Sequence, residues 1–429
     1  MAGGGGGQGR GGQADGPEPA AWRCPQVRSL LSHGASVSSA AAEGWTPLHW
    51  AAHSGHPAIA GLLAEGGAEL DKANAEGWTA LHIAAHSGHA AVVDALLHLG
   101  SSIDARDAEG WPPLHWAAHE GQAASAISLL EHGAAARYKD RSGWRALHVA
   151  ARHGHAALVQ PLLRFGGAAV LTDSTTSERQ TALHLAALHG HHAATRALLD
   201  ASAALEALDR SRRSPLQLAA QHGHNAVIGA LVDAGAELDR LDADSATALH
   251  GATYLGHAAT VSQLLRAGAD AEARNRDGFT PLHFAVSAGQ PAALAALLRG
   301  GANTSAVTDG GLDAEALADA LEAEQAQQPE PLVGLAAVQE VLQEWPSYAT
   351  APQPGELEPG DAVAIASGIH LVRAVVEETE GLKWTKQKKK RLGSAGTVKS
   401  VDGHVAEVRA ANPARAGTAG VSHTPAVRR

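Results

Sequence analysis

The sequence predicts a mainly α-helical chain, a repeat solenoid that is followed by a small all-β barrel. A seven-residue segment that begins at Thr46, TPLHWAA, recurs so that eight copies are present, and successive copies start 33 residues apart at every step except one, where the step is 36. Near the C-terminus, two short segments of alternating apolar and polar residues flank Asp402 and Gly403. A fixed period of this length is typical of stacked helical repeats. Alternation around an Asp-Gly pair is typical of a β-hairpin.

The second copy, residues 76–107, shows the elements expected of one repeat. Gly77 permits a tight turn, and Thr79 is placed to cap the start of a helix. Apolar residues at helical spacing follow, and Gly88 suits the end of that helix. A second apolar stripe ends at Gly100. One such turn–helix–turn–helix unit cannot bury its apolar face alone, so the copies are expected to stack.

The T-P-L-H-x-A pattern at this period resembles the ankyrin repeat, and the resemblance covers residues 43–307. It implies a solenoid with a concave partner-binding surface and projecting β-turn fingers. It also implies structural roles for two sets of histidines that bond neighbouring backbone groups. The first set follows the repeated leucine and comprises His49, His82, His115, His148, His184, His250 and His283. The second set follows a turn glycine and comprises His56, His89, His155, His191, His224 and His257.

Five regions are expected along the chain. They are a Gly-rich disordered arm (1–20), a solenoid with terminal caps (21–345), a Pro-rich linker (346–358), a small SH3-like β domain (359–411) and a disordered tail (412–429). The N-terminal cap is half a repeat with an apolar stripe of Val27, Leu30 and Leu31, and the C-terminal cap spans 312–345. The three-residue insertion within 170–179 is expected to emerge as a loop.

Residues 359–411 resemble the SH3-like repeat of the mind bomb family of ubiquitin ligases. The matching features are Gly360-Asp361, Val363, Trp384, Leu392-Gly393, Gly396-Thr397-Val398, Val401-Asp402 and Val408. Proteins of that family combine such repeats with ankyrin repeats and C-terminal RING fingers. The only cysteine here is Cys24, so the chain cannot form a RING and the resemblance does not imply ligase activity.

Composition excludes several classes of protein and site. The net charge is −11, yet residues 356–429 hold twelve basic and eight acidic residues, so the remainder carries −15 and is not expected to bind nucleic acid. A single cysteine excludes a disulfide framework and a multi-cysteine metal site. No apolar run approaches the roughly 20 residues that span a bilayer, and the N-terminus lacks the apolar core of a secretory signal. We therefore expect a monomer in the cytoplasm or the nucleus, without membrane insertion.

The sequence contains no catalytic motif, and its potentially catalytic residue types recur with the repeat. There is no phosphate-binding GK[ST] loop and no G-x-S-x-G elbow, and the abundant Asp, Glu and His follow the repeat. No cofactor or metal site is expected, and an enzyme is the third-ranked class. The leading hypothesis is a non-catalytic scaffold that binds partner proteins or peptides. The alternative is a component that recruits substrates to a separate ubiquitin ligase.

An aromatic pattern marks the candidate binding surface. The same finger position, after the turn glycine, holds Trp45, Trp78, Trp111 and Trp144. Eight residues after each of them stand His53, His86, His119 and Arg152. Tryptophan and arginine dominate the energetics of many interfaces, so we expect these eight residues to bind a partner. The alternatives are that the indoles stack on one another and stiffen the fingers, or that they reflect drift in a recently duplicated repeat. Trp50 and Trp116 are expected to pack between helices.

A secondary partner site is expected in the C-terminal region, at Trp384 and the basic run 386–391. Its candidate residues are Trp384, Lys388, Lys389, Lys390 and Arg391. A run of this composition is typical of a nuclear-import patch or of a contact with an anionic surface. The alternative is a solvated loop.

Overall fold

A computed structural model describes residues 24–325, 334–348, 362–363, 396–402 and 405–410. The chain forms two compact units, which divide after Arg210. The Gly-rich arm (1–20), most of the linker and the tail (412–429) lie outside the described residues.

The first unit contains an N-terminal helix, α1 (Cys24–Ser32), and five helix pairs. The first helices of the pairs are α2 (Pro47–His53), α4 (Ala80–Ser87), α6 (Pro113–Glu120), α8 (Ala146–His153) and α11 (Ala182–Leu188). The second helices are α3 (Pro57–Glu65), α5 (Ala90–His98), α7 (Ala123–Glu131), α9 (Ala156–Gly166) and α12 (His192–Asp200). First helices pack on first helices, and second helices pack on second helices. The predicted helical solenoid is confirmed.

The predicted start and end signals of the helices are present. The Thr79 hydroxyl accepts the N–H of His82, while the N–H of Thr79 donates to the ring of His82, which closes a reciprocal cap. Gly88 ends the helix in the left-handed conformation at φ 82°. Paired alanines such as Ala84 and Ala85 are wholly buried. Because an alanine side chain is one methyl group, neighbouring helices approach closely and leave little void.

Residues 172–179 of the expected loop lie outside any helix or strand, but the residues directly after α9 do not. They form a short helix, α10 (Ala168–Leu171), and the chain then enters the next finger. Leu171 is completely buried, and the hydroxyl of Ser174 donates to its carbonyl oxygen at 2.7 Å. The expectation of a solvated loop was wrong only for residues 170 and 171, because Leu171 supplies an apolar side chain that packs inside the solenoid.

The N-terminal half-repeat is present as α1, which packs on α3. Val27 is buried, but Leu30, which was assigned to the same apolar stripe, is 61% exposed. A single helix can cover its neighbour with only one narrow face, so Leu30 lies beyond the contact.

The second unit contains three helix pairs and the C-terminal cap. The first helices are α13 (Pro215–Gln221), α15 (Ala248–Tyr254) and α17 (Pro281–Ser287), and the second helices are α14 (Asn225–Asp233), α16 (Ala258–Arg266) and α18 (Pro291–Arg299). The cap consists of α19 (Ala314–Gln325), which packs on α17, and α20 (Leu335–Tyr348), which packs on α18. It therefore covers the last repeat, as the sequence indicated, and α20 extends three residues into the expected linker.

The described strands are β1 (Ala362–Val363), β2 (Gly396–Asp402) and β3 (Val405–Ala410), in an antiparallel sheet of order β1-β2-β3. Strands β2 and β3 pair from Gly396 opposite Ala410 to Asp402 opposite Val405. This is the hairpin expected around Asp402 and Gly403. The rest of the SH3-like barrel expected for 359–411 lies outside the described residues, so the barrel stays a prediction.

Candidate functional site

The histidines that follow the repeated leucine, which we call the LH histidines, connect their helices to the finger of the next repeat. His49 Nδ1 accepts the N–H of Thr46 at 2.9 Å, so Nε2 carries the proton and donates to the carbonyl oxygen of Trp78 at 3.0 Å. His82 reaches the carbonyl oxygen of Trp111 at 3.0 Å in the same way. The expected structural role is confirmed for these histidines, and both of these bonds hold the backbone of a finger tryptophan.

Four histidines of the second set also tie adjacent repeats together. His89 Nε2 lies 2.9 Å from the carbonyl oxygen of His53, and His155 Nε2 lies 2.8 Å from that of His119. These bonds hold the end of one first helix against the start of the following second helix. The sites at His53 and His119 are thereby fixed through their backbone, which leaves their imidazoles available for other contacts.

In repeats two to four, an Asn or Asp side chain at the base of the finger fixes the backbone of the finger tryptophan. Asp107 Oδ1 accepts the N–H of Glu109 at 3.0 Å and that of Trp111 at 2.8 Å. Asp140 Oδ1 accepts the N–H of Trp144 at 2.7 Å. Because these bonds involve main-chain donors, the finger keeps its conformation whichever side chain stands at the tryptophan position.

Every finger tryptophan contacts the residue eight positions later, as the spacing predicted. Three pairs are separated by the following ring-centroid distances: Trp45–His53 5.8 Å, Trp78–His86 5.1 Å and Trp111–His119 6.0 Å. In the fourth pair, the guanidinium carbon of Arg152 lies 5.4 Å from the ring centre of Trp144, which is a cation–π contact. All four tryptophans are half-buried rather than fully exposed.

Trp50 and Trp116 are not core residues, so that expectation was wrong. Ile83 and Val149 occupy the same repeat position and are each 1% exposed, whereas both tryptophans are half-buried. An indole is too large for that space, so its outer part stands beside the finger tryptophans. The Trp116 ring centre lies 4.5 Å from that of Trp78 and 5.0 Å from that of Trp111.

We call this cluster of the first four repeats the tryptophan face. Its members are Trp45, Trp50, Trp78, Trp111, Trp116, Trp144, His53, His86, His119 and Arg152. Two indole N–H groups are oriented by carboxylates: Trp116 donates to Asp107 Oδ2 at 2.7 Å, and Trp111 donates to Asp140 Oδ2 at 3.0 Å. The face is therefore a pre-arranged aromatic surface with polar groups at its edges.

Glu120 and His153 extend the polar edge, and the sequence reasoning did not single them out. Glu120 Oε1 lies 2.6 Å from His119 Nδ1 and 3.5 Å from His86 Nε2. The rings of His119 and His153 have their centres 4.3 Å apart. Burial lowers the pKa of His86, and the Glu120 carboxylate opposes that shift. Adjacency in sequence to His119 and Arg152 was the available signal for these two residues.

Other expected sites have different outcomes. The secondary partner residues Trp384, Lys388, Lys389, Lys390 and Arg391 lie outside the described residues. In the part of the chain that the structure describes, no group of three or more His, Cys, Asp or Glu side chains could hold a metal ion. None of the described helices combines the length and apolarity needed to cross a membrane.

Comparison with known proteins identifies the repeat. A family model described as "Ankyrin repeats (3 copies)" matches residues 20–107, 99–173, 158–242 and 230–308, which together exceed half of the chain. A solved structure, the human ASB11 ankyrin repeat domain, is 28% identical and has a TM-score of 0.48, over 53% of this chain and 99% of that chain. No curated protein matches the sequence.

Proposed function

The chain belongs to the ankyrin-repeat family, whose repeats are protein–protein interaction modules, and from this premise we propose that it is a non-catalytic scaffold that binds a partner protein or peptide on the tryptophan face. The observation that carries the proposal is that the fold does not need tryptophan at the finger position. In repeat six, Gln217 Nε2 donates to the carbonyl oxygen of Ala246 at 2.9 Å, where His82 makes the same contact to Trp111. Alanine therefore satisfies the finger equally well.

The packing of the indoles supports a binding role and also bears on the stiffening alternative. The Trp116 indole lies against the indoles of Trp78 and Trp111, and all three remain half-buried, so each keeps an edge in contact with solvent. Stacking reduces the apolar area that the free protein exposes. It also fixes the rings before a partner arrives, which lowers the entropy lost on binding.

Selection from a peptide library tests this function. Full-length protein is immobilised and offered a displayed library of random peptides, so the natural partner does not have to be identified first. We expect peptides to be enriched by the parent protein, and we expect Trp78→Ala with Trp111→Ala to weaken their binding by about 2 kcal/mol or more, because aromatic anchors dominate interfaces.

Phe279→Ala provides the matched control for this test. Phe279 occupies the finger position of repeat eight and contacts His283 and Phe284 at ring-centre distances of 5.7 and 6.2 Å. Its removal deletes a comparable aromatic contact from the fold but leaves the tryptophan face whole. Enriched peptides that bind the double variant as well as they bind the parent would place the functional surface elsewhere.

A second candidate function is recruitment of substrates to a separate ubiquitin ligase. The observation that favours it is the resemblance of residues 359–411 to the mind bomb SH3-like repeat, with Trp384 at the matching position. Affinity capture on full-length protein, compared with protein truncated after Tyr348, tests this candidate. Enrichment of ligase components that requires residues 349–429 supports the ubiquitin role, and an unchanged set of captured proteins contradicts it.

We also propose that the chain acts as a monomer in the cytoplasm or the nucleus, with the basic run 386–391 as the determinant of nuclear entry. Alanine in place of Lys388, Lys389 and Lys390 should move a fluorescent fusion from the nucleus to the cytoplasm. An unchanged distribution assigns the run to a different role, and the secondary partner site with Trp384 and Arg391 is then tested by the same capture assay.

A further inference from the structure

We propose that the tryptophan face recognises one chemical class of partner, an extended segment rich in arginine and lysine, and that it does so over repeats one to three. This inference rests on the proposed function, because it names what the face binds. Four observations support it: the charge of these repeats, the placement of their free carboxylates, a cation–π contact within the chain, and the change of residues at repeat four.

Charge is distributed unevenly within the first unit. Residues 43–136 contain eleven acidic and two basic residues, a net charge of −9 with neutral histidines, whereas residues 137–210 contain six acidic and nine basic residues, a net charge of +3. Both basic residues of the acidic segment already have partners. Lys72 pairs with Glu69 at 3.6 Å, and the Arg106 guanidinium carbon lies 4.6 Å from the ring centre of Tyr138.

Three of the acidic residues form a row beside the tryptophans. Glu43, Glu76 and Glu109 are exposed, and each stands two residues before a finger tryptophan. No basic side chain in the described residues forms an ion pair with any of the three carboxylates. The fingers that carry them are hydrogen-bonded in succession, because the Glu43 carbonyl oxygen accepts the N–H of Ala75 at 2.8 Å and the Glu76 carbonyl oxygen accepts that of Ala108 at 3.1 Å.

Repeat four shows what a finger tryptophan accepts. There, the guanidinium carbon of Arg152 lies 5.4 Å from the ring centre of Trp144. The equivalent neighbours in repeats one to three are the histidines His53, His86 and His119, which do not supply a permanent cation. The first three tryptophans therefore lack the cation that the fourth receives from its own chain.

The acidic row ends at the same repeat. Ser142 replaces the glutamate that precedes the finger tryptophan by two residues, and the residue before it is the exposed Arg141. Repeat four has thus lost the carboxylate and gained its own arginine. Both changes remove affinity for an external cation at the point where the net charge of the unit reverses.

These features together favour a basic peptide rather than an apolar or acidic one. Lysine and arginine are attracted to the faces of indoles and also to carboxylates, and electrostatic complementarity selects partners by sign. An extended segment of about twelve residues reaches roughly 40 Å, enough to contact successive fingers. The acidic field over the same residues repels phosphate, which disfavours nucleic acid.

Binding of synthetic peptides to the full-length protein tests the proposal. The probes are fluorescein-labelled peptides of about twelve residues in which arginine alternates with serine, together with the lysine and glutamate counterparts, and binding is followed by anisotropy. We expect the arginine and lysine peptides to bind at least about tenfold more tightly than the glutamate peptide. We also expect added salt to weaken the binding of these two basic peptides, because exposed charges are screened.

Two charge-reversed proteins separate a local effect from a general one. Glu76→Lys with Glu109→Lys changes the finger row, and we expect it to weaken the arginine peptide at least about tenfold. Glu65→Lys with Glu131→Lys makes the same change in net charge at the ends of the second helices α3 and α7, where both residues are exposed. This control protein should retain most of its affinity for the arginine peptide.

The outcomes distinguish the two proposals. Equal losses in both charge-reversed proteins, or tighter binding of the glutamate peptide, overturn the assignment of a basic partner. If the library yields neutral or acidic peptides whose binding requires Trp78 and Trp111, the assignment also fails, although the proposed function stands. If no peptide of any charge requires those tryptophans, the proposed function itself fails.

Discussion

His115 is the LH histidine whose ring has an unmet hydrogen bond. Its Nε2 lies 3.3 Å from the carbonyl oxygen of Trp144, but Nδ1 has no partner among the described residues. The cause is Pro112, which stands where five of the other seven repeats have threonine and which has no N–H or hydroxyl to offer. A buried acceptor without a partner costs about 1–3 kcal/mol.

We therefore expect Pro112→Thr to stabilise the protein by about 1 kcal/mol, since it restores the reciprocal cap and loses part of the rigidity of proline. The backbone at Pro112 already has φ −80° and ψ 166°, close to the −86° and 168° of Thr79, so no strain is introduced. Thermal melting measures the gain. Pro112→Ala restores only the N–H, and a melting temperature no higher for threonine than for alanine would contradict the role of the hydroxyl.

A second residue-scale prediction concerns acid stability. Burial lowers the pKa of His148 to about 4, as it does for His115. An unfolded histidine takes up its proton near pH 6.5, so between about pH 6.5 and 4 the unfolded chain binds more protons than the folded one. Stability is therefore fully present above this window and falls as pH falls through it, by on the order of 3 kcal/mol for each such histidine.

His148→Gln should remove part of this pH dependence while the fold is kept. Gln217 shows that glutamine can serve at this position, because its Oε1 accepts the N–H of Ser214 at 2.8 Å. The measurement is the melting temperature between pH 7 and 4.5, with the exposed His192→Gln as the control. A variant that loses stability on acidification as steeply as the parent would show that His148 does not titrate on unfolding.

At the scale of single elements, the C-terminal cap decides whether the last repeat is stable. Val338 and Leu342 of α20 are buried at 0% and 4% exposure, and α20 packs on α18, whose Leu297 is completely buried. Deletion of residues 312–345 would expose this apolar face at a cost of about 25 cal/mol per Å².

Both this deletion and the single change Val338→Asp are expected to lower the melting temperature and the solubility. Val338→Asp should lower the free energy of unfolding by several kcal/mol, because it places an unpaired charge in the core. Glu340→Lys, on the exposed side of the same helix, should have little effect. Calorimetry and light scattering measure both properties. If the Val338→Asp protein melts with the parent, α20 does not act as a cap.

Among the predicted elements, the helices of the repeats were predictable because their signals are local. Threonine caps, left-handed glycines and apolar spacing lie within about ten residues of the helices they define. The inserted segment was not predictable in this way. Whether it would form a loop or a helix depended on space for Leu171 inside the solenoid, and no local pattern reports that space.

At the scale of the whole molecule, the chain is expected to combine a helical region with a separate β domain. A fragment of residues 21–345 should give a helical circular-dichroism spectrum, in keeping with the helices described from Cys24 to Tyr348. A fragment of residues 359–411 should give a β-type spectrum and unfold cooperatively, because a barrel buries a core of its own. A featureless spectrum from the second fragment would contradict the SH3-like prediction.

The sequence by itself determined the number of repeats, their boundaries, their helix caps and the structural role of the histidines. It could do so because each of these depends on contacts that recur at one fixed separation, such as the 29 residues between His49 and Trp78. It also placed His86 beside Trp78, because both belong to one repeat.

Only the tertiary structure decided how the tryptophan face is assembled. Trp116 lies between Trp78 and Trp111 because its indole is too large for the buried space that Ile83 fills, and Trp78 belongs to a different repeat. Glu120 likewise bridges His86 and His119 across two repeats. Such contacts depend on side-chain volume and on the distance between stacked helices, and a one-dimensional period contains neither quantity.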